Sequence, residues 1–183
     1  MPEPRHRYST VSLTLHWLTA VAVLAQILLI AAGDAAQQAD ARVFRDLHKS
    51  VGLSILVLTL ARIAWRLANP ALPPPPGTRS WEKWAAKAAH VLLYAVLLIL
   101  PLSGWLASSA AGREILWFGL VDWPLLPIGG GREAAGQMMD IHRATVKGLY
   151  VLLVLHVLAA LKHQFVDRDN VLHRMIPLIP RRP

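Results

Sequence analysis

Two histidines, His142 and His156, lie fourteen residues apart in DIHRATVKGLYVLLVLHVLAALKHQFVD, the stretch from Asp140 to Asp167. The stretch reads as one long helix. On a helix that spacing puts the two imidazoles ~40° apart around the axis and ~21 Å apart along it. This is most of the ~30 Å thickness of a bilayer's hydrocarbon core. The segment GLYVLLVL between them carries no charge. Imidazole ligates haem iron and zinc and carries protons, but a single buried histidine is most often a hydrogen-bonded core residue. The chemistry therefore depends on what faces each ring.

The elements that could position them are set by composition. The chain has 183 residues, 55% of them hydrophobic and 16% charged, against about 25% charged in a typical soluble domain. Mean hydropathy is +0.41. Four apolar stretches, at about 13–33, 46–67, 84–110 and 140–166, take up most of the chain. The expected fold is all-α: a single integral-membrane domain built as a four-helix bundle. The chain holds no cysteine, which excludes disulfides, Cys-ligated zinc, iron–sulfur clusters and thioether-attached haem.

Along the chain, Ser9 and Thr10 follow a short basic lead and form a plausible helix cap. The uncharged run Leu13 to Ala32 could also be a signal sequence. Twenty apolar residues is long for a signal core, and the His16 and Gln26 inside the run fit a retained helix better. The second span begins near Phe44, with His48 at its start, Gly52 one turn on, and Arg62 and Arg66 near its far end, where both can snorkel to the interface. Gly52 would let a flat group approach, or simply let helices pack closely. NPALPPPPGT, 69–78, is a proline-rich spacer. The third span carries His90, with Pro101 and Gly104 predicting a kink. Residues 112–138 are the largest extramembrane piece, with Trp117, Phe118 and Trp123 as an interfacial belt and Gly129–Gly131 as a turn. Met138 and Met139 are expected to precede the fourth helix.

With the N-terminus inside, twelve of the nineteen Lys and Arg fall on the inner side, which carries the whole net charge of +8. The excess of inner cations predicts a multi-pass membrane protein with both termini cytoplasmic. The basic charge is thus a topology signal and gives no support to nucleic-acid binding.

This layout sorts the histidines by depth into an outer layer of His48 and His142 and an inner layer of His16 and His156, with His90 also inner. Paired imidazoles on facing helices of a bundle are how b-type haem is held, and two layers suggest two haems. Zinc is the competitor, but it takes four ligands, or three and water, and the spans supply no carboxylate.

The motifs HW at His16–Trp17, LHKSVG at His48, AHVLLY at His90, LPLSGW, DIHRATVKGLY and LHVLAALKHQF resemble the bacterial cytochrome b561 family in order and spacing along nearly the whole chain. The resemblance implies a di-haem b cytochrome with His16–His156 as axial ligands of the inner iron and His48–His142 of the outer. His90 would be a neighbour of the inner haem or of a quinone, and His163 not a ligand. It further implies an oxidoreductase passing electrons from superoxide at the periplasmic face to ubiquinone. The alternative is a haem b anchor subunit of a dehydrogenase- or hydrogenase-type complex, fed by a periplasmic donor. Arg45, Lys49, Arg143 and Lys147 surround the outer ligands; they could focus a small anion, bind haem propionates or meet lipid phosphates.

Overall fold

A computed structural model describes residues 7–75, 77–176 and 178–179. Glu3, Arg5, Arg181 and Arg182, which enter the charge balance above, lie outside the described residues. Among those described, the main elements are α1 (Thr10–Ala35), α2 (Gln38–Ala68), α3 (Ser80–Ala110), a hairpin of β1 (Ile115–Trp117) and β2 (Val121–Trp123), and α4 (Gly131–Lys162). A π-helical turn (His163–Asp167) and the short α5 (Val171–Met175) follow. All four long helices are long and apolar enough to cross a membrane. Their exposed aliphatic side chains, among them Val21, Leu24, Leu28, Val57, Val154 and Leu158, form the lipid-facing surface of a bundle whose backbone polar groups are satisfied within each helix.

Local chemistry sets the helix ends. Ser9 caps α1, its hydroxyl accepting from the Ser12 backbone N–H at 3.3 Å, an arrangement worth about 1 kcal/mol. α2 and α4 both begin well before their apolar runs: α2 at Gln38 rather than near Phe44, and α4 at Gly131 rather than Asp140. Polar residues of good helix propensity extend each helix past the membrane core. Met138 and Met139 therefore lie inside α4, not ahead of it. Gly130 is the N-cap of α4 with φ +104°, and a Cβ there would fall 2.5 Å from that of Ala134. Only glycine fits that turn.

The hairpin breaks the helical pattern at one end of the bundle. Ile115 pairs with Trp123 and Trp117 with Val121, around a turn in which Phe118 and Gly119 both have positive φ. Positive φ is unfavourable for a bulky Phe. It is held by a bond from the Phe118 N–H to the buried Ser50 hydroxyl of α2, 2.9 Å, while Trp117 Nε1 donates to Ser54 Oγ at 3.2 Å. The aromatic residues expected at the interface thus also pin the loop onto α2, just past His48.

The opposite end gathers the first and last described segments. Arg7 Nε donates to His173 Nε2 (3.1 Å), Trp17 Nε1 to the Met175 carbonyl (3.0 Å), and Trp65 Nε1 to Ser12 Oγ (3.0 Å). Lys162 at the end of α4 bonds Glu82 at the start of α3 and Asp167 beyond it. The first and last described segments therefore share one side of the bundle, as an even number of crossings requires.

Candidate functional site

The interior is layered. One core cluster contains Val23, Ile55, Leu97 and Leu149, one residue from each long helix. Each lies seven residues beyond a histidine of its own helix: His16, His48, His90 and His142. Seven residues is close to two full turns, so cluster and histidine project from the same face ~10 Å apart. Leu149 lies equally far from His142 and His156. The bundle therefore carries an imidazole layer, an aliphatic layer and a second imidazole layer.

Both layers bring rings together across helices. His48 of α2 and His142 of α4 have ring centroids 6.1 Å apart, with planes at 73°. His16 of α1 and His156 of α4 are 6.4 Å apart, at 56°. His90 of α3 also faces His156, at 5.7 Å and 82°. The inner layer is thus a group of three imidazoles with His156 in the middle. α4 packs closely along α3 and not along α1 or α2. Its facing to those two helices runs through the imidazoles.

Neighbouring groups fix the rings. His142 Nδ1 donates to the Leu100 carbonyl at 2.9 Å and lies 3.1 Å from Ser103 Oγ. The remaining nitrogen of the neutral ring, Nε2, then carries the lone pair. Gly104 lies against the same ring, and a Cβ there would stand 3.6 Å from His142 Cε1 and Nδ1. Pro101 sits buried within α3 and lacks the N–H that would close that turn. His90 Nδ1 bonds the Ala86 carbonyl of its own helix at 2.6 Å, again freeing Nε2. Gln26 reaches from α1 to donate to the His48 carbonyl at 2.9 Å. A Cβ on Gly52 would meet that amide at 3.0 Å, so Gly52 serves close helix packing around Gln26.

Sequence reasoning did not assign Leu100, Ser103, Gly104 or Gln26 to the site. Gln26 was visible as the one amide in an apolar run. Pro101 and Gly104 were visible as helix breakers, though which ring they serve follows only from the fold.

These residues fit a haem-type ligand set. Two imidazoles that share one metal, each bonded at ~2 Å with its ring centre ~1 Å behind the ligating nitrogen, have centres ~6 Å apart. Both separations match. His16 Nδ1 and His48 Nδ1 are buried without a partner among the described residues, a costly state for polar atoms of a packed interior and common at binding sites. Among the described residues, no carboxylate joins either layer. A second grouping, His163, Asp167 and Asp169, brings ligand-type atoms within 4.8 Å of one another. There Lys162 Nζ lies 2.6 Å from Asp167, and His163 Nδ1 is 2.7 Å from Asp169. The cluster is an ion-pair closure of the end of α4.

A family model described as prokaryotic cytochrome b561 matches residues 7–178. The chain belongs to the prokaryotic cytochrome b561 family. It is 33% identical over 174 residues to "Cytochrome b561 homolog 2" of Escherichia coli (strain K12), covering 93% of this chain and 91% of that one. It is 33% identical over 175 residues to "Cytochrome b562" of Cereibacter sphaeroides, covering 92% and 94%. The "Probable superoxide oxidase CybB" of Yersinia pestis is 28% identical over 173 residues, covering 93% and 96%. The cytochrome b561 family consists of membrane haem proteins that transfer electrons, and membership implies haem b as cofactor.

The four cations near the outer layer divide. Lys49 pairs with Asp46 at 3.2 Å and Arg143 with Asp140 at 3.3 Å, both on the cation's own helix. Both members of the Arg143 pair are more than 70% exposed. Arg45 and Lys147 are exposed and have no ion pair among the described residues. Each pairing carboxylate offsets much of its neighbour's attraction for an anion.

Proposed function

We propose that this cytochrome holds two haem b groups, one between His48 and His142 and one between His16 and His156, and carries electrons across the membrane from superoxide to ubiquinone. The observation that carries this reading is the pair of facing imidazoles at each of two depths, with centroids 6.1 and 6.4 Å apart. The orientation argued from the charge balance puts the His48–His142 layer on the periplasmic side and both termini in the cytoplasm.

Haem iron supplies a one-electron couple when bound. His48 with His142, and His16 with His156, would hold the two haems, and the chain's task is to hold each ring and insulate the path between the layers. Leu100 fixes the His142 tautomer, and Gly104 leaves the ring room. The aliphatic layer of Val23, Ile55, Leu97 and Leu149 keeps water from between the two imidazole layers. Each superoxide gives up one electron to become dioxygen, so two are consumed for every ubiquinone reduced to quinol with two protons. The superoxide assignment draws on the Yersinia relative's name; the position of His90, facing His156 with a free Nε2, supports a part beside the inner haem or at a quinone.

The test is reduction of the purified protein by a superoxide-generating system, with ubiquinone added. Reduction of both haems, followed by quinol formation at one quinol per two superoxide, is expected. A protein reduced only by a co-purifying partner would instead be the haem subunit of a larger complex.

A further inference from the structure

Arg62 lies on α2 six residues before its end at Ala68, ~9 Å along the helix. Its side chain is half-buried, whereas Arg66, one turn nearer the surface, is exposed. Arg62, unlike Arg66, is thus partly withdrawn from the surface to which both were expected to snorkel. It turns across to α3, where its guanidinium carbon stands 5.4 Å from the centre of the Tyr94 ring. It lies seven residues beyond Ile55 of the aliphatic layer, which places it at the depth of the inner imidazoles, and Tyr94 stands one turn beyond His90 on α3.

Among the described residues Arg62 has neither a carboxylate partner nor a hydrogen-bond acceptor. The acids that close the same end of the bundle are committed elsewhere: Glu82 and Asp167 both bond Lys162, and Asp169 bonds His163. An arginine withdrawn from water in an apolar bundle needs an anion to offset its desolvation. An aromatic face answers only part of that need. The planar fork of guanidinium suits one anion best, a carboxylate met by two parallel N–H groups.

We propose that Arg62 binds a carboxylate of the porphyrin held in the inner imidazole layer and, through its charge, raises that haem's reduction potential. The inference rests on the reading of His16 and His156 as a haem site. A fixed positive charge near the iron favours the electron-richer ferrous state. It has little effect on the outer haem, which lies beyond the aliphatic layer.

The experiment is an optical redox titration with haem quantified per chain, on purified native protein and on Arg62→Gln, Arg62→Lys and Arg66→Gln. Arg62→Gln is expected to lower the inner midpoint or deplete the inner haem while leaving the outer haem in place. Arg62→Lys should restore most of the midpoint, and Arg66→Gln should match the native protein. Full haem content with both midpoints unchanged in Arg62→Gln would overturn the assignment and leave the imidazole site standing. Equal loss of both haems, unrepaired in Arg62→Lys, would also overturn it, since that marks a general packing role. Native protein lacking a haem sensitive to His16→Ala would instead refute the underlying site.

Discussion

His142 and Leu100 are joined by a hydrogen bond of 2.9 Å from the ring Nδ1 to the backbone carbonyl, across the contact of α4 with α3. A carbonyl can only accept, so the proton sits on Nδ1 and the Nε2 lone pair is presented to the bundle interior. Ser103 Oγ donates to the same carbonyl at 2.9 Å. This is an outer-shell bond of the kind that orients a ligating histidine and raises its basicity.

The layering makes ligand loss selective. His48→Ala or His142→Ala is expected to remove one haem and leave the spectrum of the other intact. His16→Ala or His156→Ala should remove the other. Difference spectra with haem quantified per chain check this. Retention of both haems in His16→Ala would make His90, 5.7 Å from His156, the inner ligand.

Gly104 tests the clearance around the outer ring. A Cβ there reaches only ordinary van der Waals contact with His142, at 3.6 Å, so Gly104→Ala should keep full haem content. Gly104→Leu adds three carbons beyond that point and should displace the ring, costing most of the outer haem while sparing the inner one.

Leu149 stands in the aliphatic layer between the two imidazole layers. Leu149→Ala should lower thermal stability by an amount typical of a core cavity, ~2–5 kcal/mol. Both haems should stay bound at low temperature, because no imidazole is touched. Thermal unfolding followed at the haem absorption band measures it.

The pairing acids allow a test of anion steering that leaves every cation in place. Replacing Asp46 and Asp140 by Asn frees Lys49 and Arg143. If superoxide is drawn to this face, haem reduction should speed up at low salt, by up to ~10-fold. The gain should fade as the Debye length shrinks to ~8 Å near physiological ionic strength. An unchanged rate at low salt, with haem content intact, would count against steering.

The four crossings were legible because long charge-free runs have few alternatives in a chain of this composition. That His48 and His142 face each other followed from depth alone. Helix starts were less legible: Gln38 and Gly131 precede polar segments whose helicity owes nothing to burial. The hairpin at Ile115–Trp123 was hidden because three-residue strands carry almost no periodicity, and its aromatic residues read equally well as an interfacial belt. Arg62 was placed by helix position alone, which shows depth but not that Tyr94 waits on the neighbouring helix. The seven-residue offset of Val23, Ile55, Leu97 and Leu149 from four histidines was present in the sequence, yet takes meaning only once one residue from each helix is seen in a single cluster.

The most direct measurement is the haem content of the purified native protein, by pyridine haemochrome absorbance against protein concentration. Two non-covalent haem b groups per chain are predicted, falling to one in His142→Ala. A native value of one or none, or no change on replacing His142, would contradict the two-layer site.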